Sequence, residues 1–175
     1  SAVLAPHGMA STSSPLSTQA AISVLQKGGN ALDAAIAASA VQAVVEPQST
    51  SIGGDCFCLY SQAGSDRMIA MNGSGRAPIG LSADWLLQQG ITKIEQQSPH
   101  SVTVPTAIDA WVQLNRDYGT TSLGELLQPA IGYARDGFPI GHRVARDFAE
   151  CHDLLAGDAD IASVYLKNGK DFQNG

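Results

Sequence analysis

Two cysteines, an aspartate and two neighbouring glycines are concentrated in the stretch SIGGDCFCLYS, residues 51–61. These residue types are compatible with three kinds of structure. They could form a metal centre built on cysteine thiolates, a phosphate-binding loop built on glycine amides, or a backbone turn with no chemistry of its own. The choice among the three determines what the rest of the chain must supply.

A metal centre requires converging ligands, and the spacing of the cysteines does not favour one. Cys56 and Cys58 are separated by one residue on a predicted strand and therefore face the same side, whereas zinc knuckles usually place two residues between their cysteines, in a turn. Cys151 and His152 are neighbours on a predicted helix and diverge. Free cysteine is among the most frequently buried residue types, so we interpret the cysteines as core residues and expect no metal.

A phosphate-binding loop is disfavoured by the spacing of the glycines. Neither GGNALDAA nor IGGDC matches G-x-x-x-x-G-K-[ST] or G-x-G-x-x-G. Gly53 and Gly54 are therefore predicted to be structural glycines, which permit two backbone segments to approach closely or supply a positive φ angle. The four histidines are scattered and the sequence contains no G-x-S-x-G nucleophile elbow, so the residues alone reveal no complete catalytic site.

The stretch NGSGRAP, residues 72–78, contains a candidate binding residue. Arg76 lies in a glycine-rich loop directly after a predicted strand, where its guanidinium group could hold a carboxylate through two parallel hydrogen bonds. The alternative is an arginine that is simply solvated on the loop, because most arginines in proteins are exposed.

The composition is that of a globular chain and argues against two classes of partner. Of the 175 residues, 44% are hydrophobic and 15% are charged, which is sufficient for a domain with a core. The formal net charge of −6 disfavours nucleic acid as a partner. The longest apolar stretch, Ala31–Val45, is shorter than a bilayer requires, so no membrane partner is expected. Three cysteines, an odd number, indicate no disulfide framework. The compartment stays open between cytoplasm and periplasm.

Hydrophobic spacing and capping signals predict the elements that must position these residues. Residues 1–12 are predicted to form a short strand. A helix is predicted to begin at Pro15 and to end at Gly28, which can adopt the left-handed conformation after a helix. Asn30 then caps a second, alanine-rich helix that ends before Pro47.

The second half of the chain is predicted to be a hairpin followed by helices. Residues 56–61 and 67–71 form the two strands. Helical patterns follow at 83–89, 106–118, 122–137 and 142–157. Pro129 lies inside one of them and predicts a kink or a break. So few strands for so many helices suggest a layered α/β or α+β fold whose remaining strands come from elsewhere.

Several segments resemble, in order and spacing, the large subunit of the gamma-glutamyltransferase family. Residues 10–57, ASTSSPLSTQAAISVLQKGGNALDAAIAASAVQAVVEPQSTSIGGDCF, are similar to the beginning of that subunit. SVTVPTAIDAW (101–111) and YGTTSLGELLQPAIGYARDGFPI (118–140) are similar to later segments of it. Together the resemblance covers roughly residues 5–166.

The resemblance implies an N-terminal nucleophile hydrolase, an α+β fold with a four-layer αββα sandwich. Residues 1–175 would form part of a single domain, contributing mainly helices and a few strands, and a second chain would complete it. In this family one precursor cuts itself, and the new N-terminal threonine of the small subunit becomes the nucleophile with its own α-amine as base. It attacks an amide, forms an acyl-enzyme and passes the acyl group to water or an amine. The resemblance thus implies no catalytic residue on this chain, no cofactor, and two partners, the small subunit and a small-molecule amide.

Two departures from the family pattern concern the binding loop. Gamma-glutamyl enzymes of the family carry an arginine that holds the substrate carboxylate, and its place falls here on Ser74, with Arg76 two positions later. GGDCF also replaces the usual run of glycines. Both departures resemble the branch that includes acylases and small-amide hydrolases such as oxamate amidohydrolase. We therefore expect Ser74 and Arg76 to bind substrate.

A non-catalytic relative that serves as a binding or scaffold protein is the alternative, and a free-standing α/β domain is a third hypothesis.

Overall fold

The computed structural model of the protein describes residues 4–173 and 175, and its chain divides into two compact units. The first unit comprises the chain up to Ser51 and from Gly124 onward, and the second spans Ile52–Leu123. The elements, in chain order, are α1 (Pro15–Gln26), α2 (Ala31–Val45), β1 (Cys56–Ser61), β2 (Met68–Gly73), α3 (Ala83–Gln88), a 3₁₀ turn (Pro99–Ser101), α4 (Ala107–Tyr118), α5 (Leu123–Leu126), α6 (Gln128–Asp136), α7 (His142–Glu150), α8 (His152–Ala156) and α9 (Ala159–Tyr165).

The first unit is organised around α2, which packs against α1 and α6. Its alanines allow close approach, and Ala37 and Val41 are completely buried. The predicted cap is confirmed as a capping box. The amide of Asp33 donates to Asn30 Oδ1 (2.9 Å), and the amide of Asn30 donates to Asp33 Oδ2 (3.0 Å). Neither this helix nor any other within the described residues is long and apolar enough to cross a membrane.

The predicted start and end of α1 are also confirmed. Ser14 is the N-cap residue and Pro15 occupies the first turn, where a missing amide costs nothing. Gly28 follows the helix with φ of 91°, a conformation that favours glycine. The strand predicted for residues 1–12 is wrong over 4–12, which form no strand. Residues 1–3 lie outside the described residues.

The second unit is built on the β1–β2 hairpin, with α4 packed against it. The strands pair antiparallel, with Cys56 opposite Gly73 and Ser61 opposite Met68, which confirms the predicted hairpin with β2 shifted towards its C-terminus. Side chains alternate between two faces. One face carries the buried Tyr60, whose ring lies 5.8 Å from that of Tyr118 at the end of α4. The other face is apolar and open.

Two of the predicted helices are interrupted, one as expected and one not. The break near Pro129 is confirmed, because α5 ends at Leu126 and α6 begins at Gln128. The single helix predicted over 142–157 is wrong. The amide of Cys151 donates to the carbonyl oxygens of both Asp147 (3.2 Å) and Phe148 (3.1 Å), which tightens the last turn of α7 before α8 begins.

The segment after α9 folds back onto α7 and α8. Leu166 is buried, and the ring of Phe172 lies 6.5 Å from that of Phe148. Asp171 Oδ1 lies 2.8 Å from Nδ1 of His152 in α8. This hydrogen bond, together with the negative charge of Asp171, raises the pKa of His152 above its ordinary value of 6.5, and Asp153 adds to the shift.

The His152–Asp171 pair predicts a pH dependence for the attachment of this segment. Because the folded pKa of His152 is raised, its contribution to stability is fully present below about pH 6.5 and is lost as the pH rises through the folded pKa. We therefore expect Asp171→Asn to lower the Tm of the full-length protein more at about pH 5.5 than at about pH 9. Thermal unfolding across this range measures the difference.

A matched control is His152→Gln, which retains a hydrogen-bond donor but does not titrate. In that background the effect of Asp171→Asn should be independent of pH. A destabilisation by Asp171→Asn that is constant with pH in the wild-type background would show that Asp171 acts through a group other than His152.

Candidate functional site

The candidate binding residues lie on the irregular segment that follows β2. Ser74 and Arg76 are both exposed. Within the described part of the chain, the guanidinium group of Arg76 forms no ion pair. Its hydrogen-bond donors therefore remain available to an anionic ligand.

Three hydrogen bonds fix the backbone of this segment. The amide of Ser74 donates to Asn72 Oδ1 (3.1 Å) and the amide of Gly75 donates to Asp55 Oδ1 (3.0 Å). The carbonyl oxygen of Arg76 accepts from the amide of Val104 (3.0 Å). Asp55, which belongs to the GGDC stretch, thus holds the backbone of the segment that contains Ser74 and Arg76. The side chains of Ser74 and Arg76 consequently project from a fixed backbone.

Gly73, the last residue of β2, and Gly75 leave no room for a side chain. A Cβ atom on Gly75 would lie 1.7 Å from the carbonyl oxygen of Val104, and one on Gly73 would lie 2.6 Å from Ala110 Cβ and 2.8 Å from the carbonyl oxygen of Cys56. The carbonyl oxygen of Gly73 also accepts from Thr106 Oγ1 (2.5 Å). The residues before α4 therefore pack directly against the backbone of the loop.

The carbonyl oxygen of Gly54 satisfies the beginning of α4. It accepts from the amides of Thr106 (3.2 Å) and Ala107 (3.0 Å), two of the donors that a helix leaves unpaired at its start. A Cβ atom on Gly54 would meet no atom within 4 Å. The described residues thus do not require glycine at this position, and the structural role of Gly53 and Gly54 stays a prediction. The requirement for glycine at positions 73 and 75 was not predicted from the sequence, although the N-G-S-G pattern offered a signal.

The cysteines of β1 are half-buried free thiols on the face that α4 covers. Burial raises the pKa of Cys56, while a hydrogen bond with Trp111 opposes this shift. Burial also raises the pKa of Cys58, and the neighbouring Cys56 adds to that shift. A raised pKa disfavours the thiolate form that metals and nucleophilic reactions require. No group of three or more His, Cys, Asp or Glu side chains that could hold a metal ion occurs among the described residues. The prediction that no metal binds stays a prediction.

Comparison with known proteins identifies the family of the chain. The sequence model of the gamma-glutamyltranspeptidase family matches residues 17–175. The chain belongs to the gamma-glutamyltranspeptidase family. The predicted resemblance is thereby confirmed.

The similarity extends over nearly the whole chain in relatives and solved structures. The chain is 37% identical over 169 residues to a glutathione hydrolase-like YwrD proenzyme of Bacillus subtilis (strain 168), and the match covers 96% of this chain. It is 36% identical to an oxamate amidohydrolase proenzyme of Klebsiella pneumoniae, and that match covers 94% of this chain. A crystal structure of Helicobacter pylori gamma-glutamyltranspeptidase superposes with a TM-score of 0.92 at 28% identity, over 100% of this chain and 51% of that one.

The chain corresponds to only part of each relative. It spans 30% of the Bacillus protein and 32% of the Klebsiella protein. The helix-rich backbone with a small two-stranded sheet agrees with the corresponding part of the solved gamma-glutamyltranspeptidase structure, which confirms the predicted α+β fold class of the N-terminal nucleophile hydrolases.

The close approach at Gly75 predicts a large effect of a single methyl group. Gly75→Ala would force the loop away from Val104. We expect it to lower the free energy of unfolding by about 1–3 kcal/mol, the usual cost of over-packing. The matched control is Gly80→Ala, because a Cβ atom on Gly80 would meet no atom within 4 Å. Thermal unfolding of the full-length protein measures both variants. Equal Tm values would contradict the close approach.

Proposed function

We propose that this chain is the large-subunit portion of a self-processing threonine-nucleophile amidohydrolase or acyltransferase. The observation that carries the proposal is the family match over residues 17–175, together with relatives that are named proenzymes and are about three times as long. The nucleophile is then the N-terminal threonine of a second chain cut from the same precursor. It forms an acyl-enzyme, and water or an amine resolves this intermediate.

The role of this chain in the reaction is to bind and orient the substrate. Arg76 presents a guanidinium group with no ion-pair partner within the described residues, and its backbone is held by Val104. A fork of N–H donors on a fixed backbone can hold a carboxylate in one orientation, which places the neighbouring amide bond for attack. Ser74 is exposed on the same segment and contributes a hydroxyl group.

The chemistry of Arg76 favours a small amide that carries a carboxylate. Glutathione and oxamate, the compounds in the names of the two relatives, both contain an amide bond and a carboxylate group. The arginine stands two positions beyond the place that the gamma-glutamyl enzymes use, so the anion would be held at a different distance from the nucleophile. We therefore favour a small-amide hydrolase over an enzyme specific for gamma-glutamyl groups. The alternative of a non-catalytic relative is not favoured, because the matched relatives are named as hydrolases.

The hairpin supports the proposal that a second chain completes the domain. On the open face of the β1–β2 sheet, Phe57 is 69% exposed and Leu59 is 76% exposed, and Met68 adjoins them with 63% exposure. A continuous apolar face of this kind is normally covered by another layer. We propose that residues 1–175 form part of one domain and that the small subunit supplies this layer.

Analysis of the mature protein tests the proposed maturation. Intact-mass measurement and N-terminal sequencing of the purified full-length protein should find two chains, the second beginning with threonine. Substitution of that threonine by alanine should leave a single uncut chain without amidase activity. A fully active protein that remains one chain would contradict the proposal.

The proposed role of Arg76 predicts a specific kinetic effect. Arg76→Lys keeps the charge but loses the fork of donors, so we expect binding of oxamate-like or glutamyl-like amides to weaken by about 1–3 kcal/mol, seen as a higher KM. Arg67→Lys in the hairpin turn is the matched control, because Arg67 is also exposed and lies outside the loop. If Arg76→Lys left the kinetics unchanged, Arg76 would be a solvated loop residue that does not bind the substrate.

A further inference from the structure

The first unit contains a buried carboxylate that the proposed function does not use. Glu46, the residue that follows α2, is only 4% exposed. Glutamate is almost never buried to this extent unless it is paired, because removing an ionised carboxylate from water is costly. The groups around Glu46 therefore show whether this chain supplies a positive charge that offsets the cost of burying the carboxylate.

Within the described residues, the side chain of Glu46 has one hydrogen-bond partner, and that partner is neutral. The hydroxyl group of Ser13 donates to Glu46 Oε2. The same hydroxyl oxygen accepts from Gln42 Nε2 (2.9 Å), so a short relay of uncharged groups ends on the carboxylate. No basic side chain of residues 4–173 forms an ion pair with Glu46.

The backbone around Glu46 adds negative rather than positive charge. Glu46 caps the C-terminal end of α2, where unpaired carbonyl groups give the helix a partial negative charge. The last turn of α2 contains no basic residue. The carboxylate and the helix end therefore both favour a cation at this position.

One oxygen of the carboxylate remains accessible to a partner. Every fully buried side-chain nitrogen or oxygen atom among the described residues has a hydrogen-bond partner. The partner of Glu46 bonds to Oε2, so the small exposed area of this residue includes Oε1. A donor that arrives from outside the unit can reach this atom without displacing Ser13.

We propose that Glu46 forms a buried ion pair with a lysine or arginine from the part of the protein outside residues 1–175. The inference rests on the proposed function in one respect, namely that such a part exists. The matched relatives are about three times as long as this chain. The ion pair ties the C-terminal end of α2, and through Ser13 the segment before α1, to the remainder of the protein.

Removal of the charge tests the ion pair through the sign of its effect. In the full-length protein, Glu46→Gln keeps the size of the side chain but leaves the basic partner buried and uncompensated, so we expect the Tm to fall by about 5 °C or more. If Glu46 has no basic partner, the same substitution removes an uncompensated buried charge, and the Tm should stay unchanged or rise. Either of the latter results overturns the proposal.

Two variants separate the ion pair from other effects. Glu150→Gln removes an exposed glutamate that lies 3.6 Å from Arg146, and the Tm should change by no more than about 1 °C. Ser13→Ala removes the neutral donor but retains the carboxylate. If the ion pair is the main interaction of Glu46, Ser13→Ala should lower the Tm less than Glu46→Gln does.

A scan of basic residues identifies the partner. Each lysine and arginine outside residues 1–175 is changed to methionine, alone and together with Glu46→Gln. At one position the change should lower the Tm in the wild-type background but raise it in the Glu46→Gln background, where it removes the stranded charge. If Glu46→Gln alone does not fold, the same double variant should restore folding. The absence of such a position overturns the proposal.

The two proposals fail in distinguishable ways. A protein that is never cut but shows this coupling contradicts the proposed maturation and retains the ion pair. A protein that is cut and active but shows no coupling retains the proposed function and has no ion pair at Glu46.

Discussion

The contact between the backbones of Gly75 and Val104 is the constraint on which the candidate site depends. It brings a carbonyl oxygen to the position that a side chain would occupy, and it therefore fixes the direction in which the adjacent side chains project. Asp55, which precedes the hairpin, holds the same segment through a hydrogen bond to the amide of Gly75. Backbone packing thus positions Arg76, and in the proposed function its guanidinium group supplies the charge and the fork of donors.

The parts of the fold that were predictable from the sequence are those with local causes. The capping box of Asn30 and Asp33 involves residues three apart, and the break near Pro129 follows from a missing amide in the same turn. The hairpin follows from alternation and turn residues. The need for glycine at position 75 was not predictable, because the clashing atom belongs to Val104, 29 residues further along the chain. The break at Cys151 was missed for a related reason, since helical periodicity continues through it.

The candidate site shows the same division between local and distant information. The sequence identified the family and singled out the loop with Ser74 and Arg76. It also predicted structural roles for Gly53 and Gly54, whereas the structure shows close backbone contacts at Gly73 and Gly75. The substrate depends on the distance between Arg76 and a nucleophile that lies on another chain in the proposed enzyme. That distance is a property of the assembled protein, and residues 1–175 supply only one end of it.

The open apolar face of the β1–β2 hairpin has a consequence for biosynthesis. A sheet face that exposes Phe57 and Leu59 can associate with the same face of another molecule as long as no other layer covers it. In the proposed enzyme, synthesis as one polypeptide would keep the covering layer tethered, so that burial of this face would be an intramolecular event at a high effective concentration. In the proposed enzyme, scission after folding would then separate two chains that have already protected each other from aggregation.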